Sequence, residues 1–322
     1  MARPGIRDGK ILIVLLKPQI EFQMQFLRTP EASFANISDF NYSPNHIEIN
    51  GGRMHYIDEG RGEIVLCLHG EPSWCYLYRK FIPILEKKYR VVAPDFFGFG
   101  KSDKPSKMSD YSYQFHLDSL LSFIDTAGLK NITVVVQDWG GLLGLGAVGA
   151  RPGLFSRLVI MNTFLPVGKR KFPPPFKIWR AFAKYYPGMP VGGVVKMGCY
   201  QPMNTAVKAA YDAPFPSNKY KAGAKAWPLL VPEKPTDPGV KEMLQAREVL
   251  YKWNKPALVM FSDKDPIMRG GDKFFRGKIP SAKNEPMITI KDAGHFLQED
   301  KGEEIARHID EFMKRNPLSS LD

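Results

Sequence analysis

The sequence predicts an α/β fold: a mostly parallel sheet flanked by helices, with a helical cap inserted after the sixth strand. Three observations predict it. Short apolar runs rich in β-branched residues recur between helix-length segments, the pattern of strand–helix–strand units. These runs are continuously apolar rather than alternating, as strands covered on both faces are. Residues able to do chemistry fall just after the runs, at the edge where such sheets bind ligands.

The elements follow in chain order. Residues 11–16 (ILIVLL) are apolar but lie between Lys10 and Lys17. Such a run is too short to span a bilayer and shorter than a usual signal-peptide core. Met24 then opens a stretch, MQFLRTPEASF, that reads like a natural start. Residues 1–23 are therefore expected to be an extension outside the fold. Segments 46–49 and 54–57 flank Asn50-Gly51-Gly52 and read as a hairpin. Strand-like runs follow at 64–68, 90–93, 132–137, 158–161, 257–261 and 287–290. Between residues 166 and 230 the alternation breaks into a Pro-, aromatic- and Lys-rich stretch with helical patches. An insertion there would lie as a lid over the carboxyl edge. The core is accordingly expected over 24–165 and 231–322, with the cap at 166–230.

Composition narrows the class. Hydrophobic residues are 44% and charged residues 24% of the 322, as in ordinary globular chains large enough to fold without a metal or disulfide staple. The 3 cysteines, an odd and sparse count, fit a reducing compartment, and a cytoplasmic location is expected. Cys67, inside the run 64–68, reads as a small core residue. The net charge of +12 concentrates between residues 165 and 230, where eleven Lys and Arg face one acid, Asp212. It reads as a solvated basic surface, because no zinc-ligand spacing or basic-helix motif accompanies it. No nucleic-acid or membrane partner is expected, nor any cofactor or metal, and the chain is expected to be monomeric.

Residues 134–141 (VVVQDWGG) are a strand entering a tight turn and then a small-residue helix. This is the nucleophile-elbow context of α/β-hydrolases, G-x-S-x-G, with Asp138 in place of serine and Val136 in place of the first glycine. The replacement changes the chemistry. Serine needs a base to become nucleophilic, whereas a carboxylate is already ionised at neutral pH. An aspartate can displace a leaving group at saturated carbon and form an alkyl ester, so esterases and lipases are disfavoured. The bland alternative is an aspartate that caps the helix. Two nearby motifs are decoys. Gly144–Gly149 matches GxGxxG but begins well inside the helix. Gly100-Lys101-Ser102 lacks the first glycine of a P-loop, since 95 is Asp.

His295, in DAGHF after the last strand, is the best base of the six histidines. His69 reads as a structural hydrogen-bonder; His46, His55, His116 and His308 read as surface residues. Of the two carboxylates in Asp263-Lys264-Asp265-Pro266, Asp265 before proline fits the triad acid better. It would fix the imidazole tautomer and stabilise the imidazolium. The order Asp138, Asp265, His295 is nucleophile, acid, base. The oxyanion hole of this fold uses the amide after the nucleophile and one from the first loop, here the N–H groups of Trp139 and Glu71.

HGEPSWCYLYRK (69–80), APDFFGFGKSDKP (93–105), VVVQDWGG (134–141) and DAGHFLQE (292–299) together resemble the haloalkane dehalogenases. The similarity is strongest to the branch with an Asp–His–Asp triad and two halide-binding tryptophans, and runs from about Arg28 to Met313. The resemblance implies a small halogenated hydrocarbon as substrate. Asp138 displaces the halide, which two indole N–H groups hold, and His295 activates water to hydrolyse the ester to a primary alcohol. Trp139 matches one halide tryptophan directly. Trp179 in the cap is the expected second, ahead of Trp227. Its alternative is an aromatic that packs the cap on the core.

Two rival readings remain. Epoxide hydrolases share the fold and the aspartate nucleophile, and need cap tyrosines; Tyr185, Tyr186, Tyr200 and Tyr211 are in the cap. A non-catalytic binding protein on this fold is the other, disfavoured by an intact Asp138, Asp265 and His295. Dehalogenases of the fluoroacetate type would want a basic residue after the nucleophile, and none is there.

Overall fold

The computed structural model describes residues 24–318 except 38, 170, 171 and 187; the expected N-terminal extension lies outside the described residues. Eight strands form the main sheet. They are β1 (Asn45–Ile49), β2 (Gly52–Glu59), β3 (Ile64–Leu68), β4 (Arg90–Pro94), β5 (Ile132–Gln137), β6 (Phe155–Met161), β7 (Ala257–Ser262) and β8 (Ile288–Ile290). Their order is β8-β7-β6-β5-β3-β4-β2-β1. Only β2 runs against its neighbours, pairing antiparallel with β1 and β4, while every other pairing is parallel.

Local chemistry explains the elements. Asn50 and Gly51 both take positive φ, 53° and 76°, which is the two-residue hairpin turn whose twist matches the strands it joins. All six residues of β5 are buried, as a central strand with both faces covered must be. Burying each of Val134, Val135 and Val136 contributes about 1.5–3 kcal/mol. α2 (Tyr113–Thr126) starts where the Ser112 side chain accepts the Phe115 N–H at 3.1 Å, satisfying one of the orphan donors of a first turn. β8 begins one residue later than expected, because Met287 is exposed.

α1 (Ile82–Leu85) packs beside the long C-terminal α10 (Leu297–Arg315), and α3 (Trp139–Ala150) beside α8 (Val240–Tyr251). Between β6 and α8 lie α4 (Pro174–Tyr185), α5 (Val191–Gly198), α6 (Thr205–Asp212) and α7 (Ala222–Leu230). Pro174 and Pro175 open α4, positions where a missing N–H costs nothing. The Arg180 guanidinium donates to the carbonyls of Leu229 and Val231 and so fastens α4 to the end of α7. A buried network holds α6 to α10. Arg79 bridges both oxygens of Glu299 at 2.7 and 2.6 Å, and the Tyr211 hydroxyl donates to Glu299 at 2.7 Å.

Two histidines expected on the surface are fully buried, His55 and His116. His55 lies on β2 with the His46 ring packed beside it, and its Nδ1 meets Asp95 at 2.7 Å. His116 is on the inward face of α2, and burial pushes it down to about 3. It is therefore neutral, and its Nε2 accepts from Trp227 Nε1 at 2.7 Å. α9 (Gly271–Lys278) joins β7 to the segment before β8.

Candidate active site

Asp138 sits between β5 and α3 with φ 49° and ψ −125°. A non-glycine residue held there costs on the order of 1–3 kcal/mol and persists only where its surroundings over-determine it. They do so here. The Asp138 N–H donates to Asn162 O at 3.0 Å, and Thr163 Oγ1 donates to Asp138 O at 2.7 Å. A Cβ at Gly140 would overlap the Leu68 carbonyl, so only glycine lets the turn close onto β3.

The Asp138 carboxylate does not cap α3. Its Oδ1 instead accepts the backbone N–H of Glu71 at 2.8 Å. That approach needs Gly70, where a Cβ would collide with the Asp138 side chain. Trp139 is the first residue of α3, a position whose N–H has no intrahelical acceptor.

His295 reaches this carboxylate from the loop after β8. Its Nε2 is 3.5 Å from Asp138 Oδ2, and its Nδ1 is 2.8 Å from Asp265 Oδ2. Asp265 also accepts the N–H groups of Ile267 and Met268 at 2.7 and 3.1 Å. Asp263 turns away and pairs with Lys264 at 3.2 Å. Burial opposes a charge on His295, but the carboxylates of Asp265 and Asp138 outweigh it and raise the imidazole to about 10. Burial likewise opposes ionisation of Asp265, and His295 with the two amides overcomes it, holding that carboxyl below its usual range. His295 N–H donates to Gly198 O at 2.7 Å, which ties the base to the end of α5.

The cavity above these groups has a volume of about 1310 Å³. Glu71, Asp138, Trp139 and His295 line its floor, and Phe176, Trp179 and Phe182 of α4 line its wall. The two cap tryptophans differ. Trp179 lines the cavity, and neither its indole N–H nor that of Trp139 has a hydrogen-bond acceptor among the described residues. Trp227 does not line it; it is buried, bonded to His116, and packed against Trp139 at 4.7 Å between ring centroids. Of the four cap tyrosines only Tyr200 lines the cavity, and it is half exposed. Tyr211 is engaged with Glu299.

Three groups at the site escaped the sequence reading. The Glu71 carboxyl is buried, and burial together with the Asp138 charge raises it well above the ordinary range. Gln137 Nε2 donates to the His295 carbonyl at 3.1 Å and lies 3.2 Å from His295 Nε2. Asn162 ties the ends of β6, β7 and the β8 loop together through Ser262, Gly294 and His295. The signals were the residue before the nucleophile and the polar pair Asn162-Thr163 closing an apolar strand.

Residues 63–191 match the alpha/beta hydrolase fold family. A haloalkane dehalogenase of Psychrobacter cryohalolentis is 45% identical over 91% of this chain and 100% of its own length. One from Mycolicibacterium paratuberculosis is 44% identical over 89% of this chain and 97% of its own. Among solved structures, a tetrameric haloalkane dehalogenase of Paraglaciecola agarilytica NO2 superposes with a TM-score of 0.84 at 38% identity, covering 88% of this chain and 97% of that one. Identity at this level over about nine-tenths of the chain places it in the haloalkane dehalogenase family of hydrolases acting on carbon–halide bonds.

Proposed function

We propose that Asp138 is the nucleophile of a two-step hydrolytic dehalogenation, with His295 as base and Asp265 as its partner. The observation that carries this is one carboxylate with two differently held oxygens. Oδ1 is fixed by the Glu71 N–H, while Oδ2 faces His295 and the cavity. Oδ2 attacks the carbon bearing the halogen, a C–O bond forms as the C–halogen bond breaks, and the halide leaves with the bonding pair. The Nε1–H groups of Trp139 and Trp179 stabilise it; an indole donates without offering a competing nucleophile.

The ester has lost the charge of Asp138. That loss removes one of the two carboxylates that kept His295 protonated, so the imidazole can release its proton and accept one from water. The water oxygen adds to the ester carbonyl, and charge develops on the oxygen that was Oδ1. The Glu71 N–H, which already donates to that oxygen, acts with the Trp139 N–H as an oxyanion hole. Collapse expels the alcohol and regenerates Asp138. Asp265 keeps Nδ1 protonated and Nε2 facing the ester throughout.

Epoxide hydrolysis is disfavoured, since three of the four cap tyrosines stand off the cavity. Halide release from bromo- and chloroalkanes, with styrene oxide run in parallel for diol, tests the reading. Halide without diol is expected; diol without halide would overturn it. A cytoplasmic location is also proposed, on the three free cysteines. No helix among the described residues is long and apolar enough to cross a membrane. The expected monomer stands against the tetramer described for the Paraglaciecola relative, and sedimentation velocity separates the two.

A further inference from the structure

The cavity is built in three zones of different chemistry. Its floor holds the only acidic residues that line it among the described residues, Glu71 and Asp138. Its wall is apolar and aromatic, from α4 and the loop before it. Its rim carries cations: Lys169, Lys264 and Arg269 line the opening and are exposed. Lys264 pairs with Asp263. Lys169 and Arg269 have no acidic partner among the described residues, and no acid lines the cavity beside them.

The apolar surface also continues outward past the wall. Ile178, Met197 and Tyr200 line the cavity while remaining 70%, 74% and 52% exposed. Large apolar side chains left open to water around a concave site mark a surface that a ligand covers. The volume of about 1310 Å³ exceeds the roughly 300–1,000 Å³ of pockets that enclose drug-sized ligands. A two- or three-carbon haloalkane would touch the floor and leave most of the wall and the whole rim unused.

We infer that the cavity accepts long halogenated chains whose far end is anionic, such as ω-halocarboxylates, with the halogenated carbon at Asp138 and the carboxylate among Lys169, Arg269 and Lys264. This rests on the dehalogenase reading of the floor and names the substrate class of that same site. The zones match such a molecule end to end: indole donors for the halide, aromatic wall for the methylenes, cations at the opening for the head. Short 2-haloacids do not fit the same layout. Their carboxylate would lie beside Asp138, where like charges repel and the His295 imidazolium is already shared by Asp138 and Asp265. The product is an ω-hydroxycarboxylate plus halide and a proton, with water as the only co-reactant.

The test compares kcat/KM for ω-bromoalkanoates with that for 1-bromoalkanes of matched length, from hexyl to dodecyl. Preference for the carboxylate is expected to rise with chain length and to weaken with added salt, as an exposed charge–charge attraction does. In Lys169→Gln/Arg269→Gln the ratio of the two kcat/KM values is expected to fall about tenfold. A neutral-chain preference at every length, or a ratio unmoved in the double variant, overturns the inference. Binding is read separately from chemistry by thermal shift with decanoate against decan-1-ol. Decanoate is expected to stabilise the protein more than the alcohol does, and to lose that advantage in the double variant. If no bromide is released from any chain yet decanoate binds in this way, the dehalogenase reading fails and the anionic-chain site stands. If 1-bromoalkanes turn over while the ω-bromoalkanoates show no preference, this inference fails alone.

Discussion

His295 Nε2 lies 3.5 Å from Asp138 Oδ2 while its Nδ1 holds Asp265 at 2.8 Å, so one imidazole is shared by two carboxylates of which the first reaction step neutralises only one. The resting enzyme therefore keeps His295 protonated up to about 10. The alkyl-enzyme does not, because the charge of Asp138 has been lost to the ester. Alkylation is expected to be flat with pH across the neutral range. Hydrolysis of the trapped ester should rise tenfold per pH unit and level off at a pKa below that of the resting enzyme. Rapid-mixing measurement of the two steps separates them, and a hydrolysis rate independent of pH removes His295 as the base. His295→Phe should form the ester, seen as a mass increase, without turnover.

The same logic reaches the ground state. Asp138→Asn deletes a carboxylate that raises His295, so the imidazole of this variant should titrate lower than in the wild type by NMR. The sign for stability follows. A raised pKa contributes stability that is present in full below the unfolded value of about 6.5 and is lost as pH rises through the folded value. The alkaline loss should thus begin near the same pH in both proteins but end at a lower pH, and be smaller, in Asp138→Asn, and coincident profiles would contradict the coupling.

Trp179 and Trp227 should part company in mutants. Trp179→Phe removes a cavity-facing N–H with no protein acceptor, and bromide affinity by fluorescence titration should fall about tenfold. Trp227→Phe instead strips the donor from buried His116, a loss of about 1–3 kcal/mol in stability. Its effect on bromide affinity should be the smaller of the two. The reverse ranking would move the second halide donor to Trp227.

Gly70→Ala tests the approach of the early loop to the nucleophile. The new methyl would occupy the space of the Asp138 side chain, so either that carboxylate or the Glu71 N–H must give way. Loss of one oxyanion donor costs about 100- to 1,000-fold in kcat. The expected signature is that loss with a nearly unchanged melting temperature, and a fully active Gly70→Ala would mean that the Glu71 N–H is dispensable.

These residues differ in how far the sequence announced them. Asp138, Asp265 and His295 each follow an apolar β-rich run, so chain order alone carries them to one sheet edge. Glu71 was readable through its backbone position, but the upward push on its carboxyl comes from burial beside Asp138. Gln137 and Asn162 gain their roles from contacts across strands 158 and 133 residues away in sequence. Nothing in local periodicity records such contacts. His55 and His116 were misplaced for a related reason: whether a side chain of β2 or α2 meets solvent is decided by what packs on it, Asp95 and Trp227 here.

The Arg79–Glu299 pair offers a test of what holds the cap helix α6 to the core. Both groups are buried, and burial alone would push the Glu299 carboxyl up; the guanidinium with Tyr211 reverses this and holds it below its usual range. A buried ion pair contributes little against an apolar replacement, yet removing one partner leaves a buried charge and costs about 3–5 kcal/mol. Arg79→Met should therefore lower the melting temperature by roughly 5–10 °C. Adding Glu299→Leu should restore part of the loss, since the stranded carboxylate is then gone. The pH dependence has the opposite sign from that of His295. A depressed carboxyl contributes stability above its unfolded pKa of about 4.3 and loses it as pH falls through the folded value. Wild type and Arg79→Met should accordingly converge in stability as the solution is made acidic, by urea denaturation at stepped pH. A gap that stays constant down to acidic pH would mean that Arg79 acts through packing against Tyr76 rather than through the charge of Glu299.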